Sequence, residues 1–166
     1  MRPLASIRLV FLAAALAGVA STALADVYTG RVVAIADGDT LTVLDKAKVQ
    51  RKVRLSGIDA PEKRQSFGTV SRKHLADLVF GKTVTVAYRK IDRYGRQIGV
   101  VRVGEIDANL AQIRAGLAWH YKHYEREQPP DERAAYAAEE RNARENKRGL
   151  WGDAKPIAPW DFRRHR

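Results

Sequence analysis

The residues of this chain best suited to chemistry are carboxylates and arginines gathered in one stretch. Asp37 and Asp39 flank Gly38 and precede Thr40, while Asp59 and Glu62 flank Ala60-Pro61 a few residues beyond Arg54. Carboxylates supply the hard oxygens that a cation such as calcium prefers, with water completing the shell. A planar guanidinium grips two oxygens of a phosphate at once. Taken singly, each residue has an ordinary reading: Asp37 as turn chemistry, Asp59 as a cap before a proline, Arg54 as a solvated strand residue. Taken together, they suit a hard cation and a phosphate.

The flanking pattern says how these groups are held. Leu41 and Val43, then Val49, Val53 and Leu55, alternate with polar residues as in half-buried strands. Gln50, Lys52, Arg54 and Ser56 share the other face of the second strand, which points Arg54 away from the core. Gly38 is placed where a tight hairpin turn calls for positive φ. Gly57 breaks the strand, and Pro61 biases Ala60 toward an extended conformation. The outcome is a rigid corner carrying the acids, with an arginine just upstream.

Elsewhere the chain alternates short strands with helices. Tyr28 to Ala36 reads as a first strand, Thr40 to Leu44 and Val49 to Ser56 as the second and third. A helix to about Phe80 follows, closed by Gly81. Lys82 to Arg89 and Ile98 to Val103 are the fourth and fifth strands, joined through Asp92-Arg93-Tyr94-Gly95-Arg96. Ile106, Leu110, Ile113 and Leu117 mark one face of a short helix. Asp131 is the expected N-cap of an alanine-rich helix from Glu132 to about Lys147, ended by Gly149. Leu150 and Trp151 are assigned to the core. This α+β order, five strands with about three helices, describes an OB-fold barrel.

Three segments carry a resemblance: Asp37-Gly38-Asp39-Thr40, then Arg54-Leu55-x-x-Ile58-Asp59-x-Pro61-Glu62, then Asp92-Arg93-Tyr94-Gly95-Arg96. In order and spacing they resemble the signature segments of the staphylococcal nuclease (thermonuclease) family, over about Val27 to Trp151. The resemblance implies a calcium-dependent, sugar-nonspecific nuclease that cleaves DNA and RNA to 3′-phosphate products. Asp39 and Asp59 are the expected metal ligands, with the backbone carbonyl of Ala60 implied by the family, and Asp37 takes an outer or turn role. Glu62 is the candidate general base or water-orienting group, three residues from Asp59. Arg54 and Arg96 are assigned to the scissile phosphate, where lysine would be a poor substitute. Tyr94, Tyr121, Tyr124 and Arg93 are assigned to substrate binding. Stacking on tyrosine requires an exposed base, so single strands are the expected preference. His120 and His123 lack a third ligand at suitable spacing and are read as surface or core residues.

The chain has 166 residues, 30 of them Lys or Arg and 19 Asp or Glu, and no cysteine. Its first residues read as a cleaved signal peptide over 1–25: Arg2 and Arg8, an apolar run from Leu9 to Ala20, and Ala23-Leu24-Ala25 before Asp26. Removing two arginines leaves 28 basic against 19 acidic residues, a net +9. Such a charge attracts polyanions, nucleic acid foremost. Residues 26–152 form the expected domain, and 153–166, with Pro156, Pro159 and Arg163-Arg164-His165-Arg166, a basic and loosely ordered tail. The mature protein is expected to be secreted or periplasmic, free of the membrane, and monomeric as is the family's default. Two rivals remain: a non-catalytic OB-fold that binds nucleic acid, and a basic envelope protein that binds anionic polymers. The second leaves the acids unexplained.

Overall fold

A computed structural model describes residues 25–164; the leader read over residues 1–25 lies, apart from Ala25, outside that range. Strands β1 (Asp26–Ile35), β2 (Thr40–Asp45) and β3 (Gln50–Leu55) form an antiparallel meander. The two-residue strand β4 (Ile58–Asp59) and helix α1 (Gly68–Val79) follow. Strand β5 (Thr83–Ile91) pairs with β1 and with β6 (Gln97–Val103). Parallel pairing of β3 with β6, Val53 opposite Gln97 and Leu55 opposite Gly99, closes the sheet into a five-stranded barrel. Closure removes the exposed edges that an open sheet would present.

Alternation along the strands fills this barrel. Val32, Leu41, Val43, Val53, Leu55, Val84, Val86 and Val101 point inward and are essentially inaccessible. Each such side chain contributes roughly 1.5–3 kcal/mol of burial. Leu75 and Val79 of α1 and Ile113 of α2 (Ala108–Arg114) belong to the same core. The short strand β7 (Ile106–Asp107) precedes α2, and β8 (Trp119–His120) follows it and pairs with β4. A helical turn over Lys122–Glu127 leads to α3 (Pro130–Glu145), and a second turn over Gly149–Gly152 packs Leu150 and Trp151 beneath it. Among the described residues, no helix is long and apolar enough to cross a membrane.

Several local expectations are corrected. Gly38 does not have positive φ. It is needed because α1 passes so close that a Cβ would lie 1.9 Å from Ser71 Oγ and 2.8 Å from the Ala60 Cβ. Ile106 is not on the helix: it lies on β7 and is exposed, while Asp107 caps α2 by accepting from the Leu110 amide at 3.0 Å. Asp131 falls inside α3, because Pro130 starts that helix with a φ already suited to its first turn. The segment after Asp153 carries a further helix, α4 (Pro159–Arg164), docked on the rest of the fold. Its prolines admit this: Pro159 opens the helix, and Pro156 lies in the loop before it.

Candidate active site

Arg54 is the centre of the corner. Its Nη1 pairs with Asp39 Oδ1, and its Nη2 lies 2.8 Å from Asp59 Oδ1, so one guanidinium bridges two carboxylates. Asp39 is brought here by the β1–β2 turn, in which the Asp37 carboxylate accepts from the Asp39 amide at 3.0 Å. The other oxygen of Asp39 accepts from the Ala60 amide at 2.8 Å, and Thr40 Oγ1 donates to Oδ1 at 3.0 Å. Backbone pairing completes the link, since the Leu55 amide donates to the Asp39 carbonyl at 2.8 Å.

Burial shapes the charges. Asp39 and Asp59 are almost inaccessible. Burial opposes the charge on Asp39, but the Arg54 guanidinium and the Ala60 amide hold its carboxyl below the usual range. Asp59 is pushed upward, chiefly by burial, with Arg163 pulling the other way. Burial, and then the neighbouring charge of Asp39, raises Asp37 to about 6.

The remaining predicted groups lie on two sides of this centre. Arg54, Arg93, Tyr94, Arg96, Tyr121 and Tyr124 all line one open cavity of about 660 Å³. Arg96 reaches it from the β5–β6 connection, held by Asp92, and its guanidinium lies 5.4 Å from the Tyr94 ring centroid. Arg93 Nη2 donates to the Tyr94 hydroxyl at 2.7 Å. Tyr121 is placed by its amide, which donates to the Gly57 carbonyl at 2.8 Å, and Tyr124 meets it edge-on at 5.3 Å. Glu62 stands on the other side, near Asp59, on a loop clasped by the Gln65 side chain: the Glu62 amide donates to Gln65 Oε1 at 3.0 Å. Gly68 lets this loop close, because a Cβ there would lie 2.0 Å from the Glu62 carbonyl oxygen.

Four supporting residues were not singled out from sequence. Asn109 donates to the carbonyls of Ser56 and Gly99 and accepts from the Val101 amide, pinning the end of β3 to β6. Gln112 donates to the Gly38 and Ser71 carbonyls, which fixes the turn carrying Asp39. Glu140 is buried on α3, accepts from the His120 amide and pairs with Lys122 at 2.6 Å, so it seats the segment leading into Tyr121. Arg163 of α4 reaches the acids: its Nη2 is 2.8 Å from Asp59 Oδ2, and its Nη1 is 2.7 Å from Glu62 Oε1. A polar residue on a helix face leaves little signal, and Arg163 lies in a proline-bounded tail.

His120 is a core residue, its Nε2 2.8 Å from Gln128 Oε1. Among the described residues, no three His, Cys, Asp or Glu side chains converge as a complete cation cage. Asp39 and Asp59 nonetheless converge on one point, that of the Arg54 guanidinium, and offer only oxygens. Carboxylate oxygens are of the hard kind that calcium prefers, and the point on which these two converge is held by Arg54.

A barrel closed through β3 and β6, with acids at one end and arginines and tyrosines around an adjoining cavity, defines an OB-fold protein equipped for phosphodiesters. The chain belongs to the staphylococcal nuclease homologue family, whose sequence profile matches residues 52–153. That match takes in Arg54, Asp59, Glu62 and Arg96; Asp39 lies before it and is joined to the group by geometry. The chain is 44% identical over 140 residues to an uncharacterized endonuclease of Escherichia coli, covering 84% of this chain and 86% of that one. It is 45% identical over 136 residues to an uncharacterized endonuclease of Haemophilus influenzae, covering 82% and 73%. It is 40% identical over 146 residues to a micrococcal nuclease of Shigella flexneri, covering 82% and 81%. Membership of this family supports nuclease activity.

Proposed function

We propose that this chain is an exported, calcium-dependent nuclease that hydrolyses DNA and RNA to 3′-phosphate products, prefers single strands, and works as a monomer. The observation that carries the reading is the Arg54 guanidinium, bridging Asp39 and Asp59 while lining the same cavity as Arg96, Tyr94 and Tyr121. Asp39, Asp59 and the Ala60 carbonyl would hold calcium, which supplies positive charge beside the phosphate and favours ionisation of nearby water.

The chain's own groups supply the rest. Arg54 and Arg96 donate to the phosphate oxygens that gain charge in the transition state, and each is fixed in advance by a carboxylate. Removing one such preorganised donor typically costs ~3–4 kcal/mol of barrier. Glu62 orients the attacking water and accepts its proton. Tyr121 and Tyr124 offer ring faces to a base, and Tyr94 with Arg93 sits at the mouth where a terminal phosphate would lie. The leader read in residues 1–25 supports export, and the net charge of +9 supports attraction to nucleic acid.

The test is release of acid-soluble nucleotides from denatured DNA and from RNA by the mature protein. It is run in calcium, in excess chelator, and with Glu62→Ala in calcium. Turnover in calcium that falls by orders of magnitude in both controls supports the reading. Binding of DNA with no cleavage in calcium would make the chain a nucleic-acid-binding OB-fold instead.

A further inference from the structure

The C-terminal helix covers the groups that the proposed reaction needs. Arg163 donates to both oxygens of Asp59, at 2.8 and 3.3 Å, and to Glu62 at 2.7 Å. Arg54 already occupies the remaining side of Asp59 Oδ1. The carboxylate therefore has its oxygens engaged by two guanidinium groups, and Glu62 is tied to the second of them. One turn earlier on α4, Trp160 stacks on Tyr121, with ring centroids 5.4 Å apart and planes inclined by 21°. That contact takes up a face of a tyrosine otherwise suited to a base. Trp160 also meets Trp119 edge-on at 5.4 Å, and Gln65 Nε2 donates to the Ile157 carbonyl at 2.6 Å. Gln65 is the residue that clasps the Glu62 amide, so one side chain joins the catalytic loop to the base of the tail.

We propose that residues 157–164 form an autoinhibitory strap, with Arg163 standing in for the divalent cation and Trp160 for the nucleobase. Calcium and a single-stranded substrate displace it together. This inference rests on the nuclease reading above. The strap is built to release. The Arg163 side chain is 41% exposed while Asp59 is 1% exposed, so the arginine can swing out to solvent but the buried carboxylate needs another cation in its place. The segment before α4, from Asp153 through Pro156, is largely exposed, and α4 itself is a single short helix. Arg54, by contrast, is largely enclosed and stays to meet the phosphate. A closed strap lowers the apparent calcium affinity by the fraction of molecules in which the carboxylates are free.

The experiment compares the mature wild type with Arg163→Ala and Trp160→Ala. Calcium binding is measured by calorimetric titration without nucleic acid, and single-strand cleavage is measured across a calcium series. We expect Arg163→Ala to bind calcium about tenfold more tightly. Its cleavage should reach half-maximum at correspondingly lower calcium, and both proteins should converge on the same rate at saturation. Trp160→Ala, which removes the strap's contacts with Tyr121 and Trp119 and leaves the carboxylates untouched, should shift calcium binding in the same direction by a smaller factor. A wild type that cuts in calcium while Arg163→Ala binds calcium no more tightly overturns the strap and leaves the nuclease reading intact. Loss of cleavage at saturating calcium in Arg163→Ala also overturns it, making Arg163 a third phosphate-binding arginine. A wild type that neither binds calcium nor cuts removes both.

Discussion

Arg96 is folded back on Asp92: its Nε, at 2.8 Å, and its Nη2, at 2.7 Å, donate to the same carboxylate oxygen. The other oxygen of Asp92 accepts from the amides of Tyr94 and Arg96, both at 2.9 Å. One carboxylate therefore shapes the connection and aims the arginine. Asp92→Ala should cost about 2 kcal/mol of stability, from several charge-assisted hydrogen bonds lost together. It should also lower kcat more than tenfold while leaving calcium binding unchanged. Urea denaturation and steady-state cleavage check the two effects, and a kcat equal to wild type would mean Arg96 needs no such guide.

The same carboxylate predicts a pH dependence. Partial burial raises the Asp92 pKa, but hydrogen bonds from the Arg96 amide, the Arg96 side chain and the Tyr94 amide outweigh it, so the folded value lies below the ordinary 3.8. A depressed folded pKa adds stability that is fully present above the unfolded value and disappears as pH falls through the folded one. The difference in urea midpoint between wild type and Asp92→Asn should thus be constant near neutrality. It should shrink once the pH drops below about 4.

Arg54 is tested by two substitutions that separate stability from chemistry. Arg54→Ala leaves Asp39 and Asp59 buried without their shared cation, and breaking a buried pair in this way costs about 3–5 kcal/mol. Arg54→Lys keeps a charge but cannot reach both carboxylates as a planar fork. It should fold with a smaller loss and cut ~10²- to 10³-fold more slowly. Thermal unfolding with single-turnover cleavage reads both. A lysine variant as active as wild type would remove Arg54 from the phosphate site.

Gly38 and Gly95 are glycines for different reasons, and alanine tells them apart. A Cβ at Gly38 would collide with Ser71 and Ala60, whereas one at Gly95 meets nothing within 4 Å, although φ there is +75°. Gly38→Ala forces α1 away from the acidic turn and should cost about 3 kcal/mol, in the range of core overpacking. Gly95→Ala carries only the left-handed backbone penalty of about 1 kcal/mol. Chemical denaturation of both variants measures the contrast, and equal losses would contradict it.

Tyr124 is 46% exposed at the cavity, with Lys90 Nζ 5.0 Å from its ring centroid. Little of the fold depends on it. Tyr124→Ala should raise KM for single-stranded DNA about tenfold, the equivalent of one lost base stack of ~1–3 kcal/mol. Tyr124→Phe should restore it. A KM unmoved by the alanine would place the base elsewhere.

The barrel was legible because its strands alternate apolar and polar residues at period two, from Val32 through Val101, and because glycine and proline punctuate the turns. Arg54, Asp39 and Asp59 were legible because local turns bring them together around one guanidinium. The Gly38 reading failed because a sequence shows that a Cβ is missing but not whether φ or a neighbouring helix demands it. Asn109, Gln112 and Glu140 escaped notice because each acts through partners distant along the chain, Gln112 reaching back to Gly38. Arg163 was read as part of a basic tail because its partners lie about a hundred residues earlier, and its own helix is only six residues long.

The parallel seam between β3 and β6 has a bearing on biosynthesis. Arg54 sits on one strand of that seam, opposite Ile98, and Arg96 immediately precedes the other strand. Until the seam forms, the two arginines belong to separate hairpins and share no phosphate. Seams between strands distant in sequence are slow to form, because the loop entropy must be met before the contacts are made. On the proposed roles, a chain whose barrel has not closed carries the residues of a nuclease without bringing them together, and closure is the step that arms it.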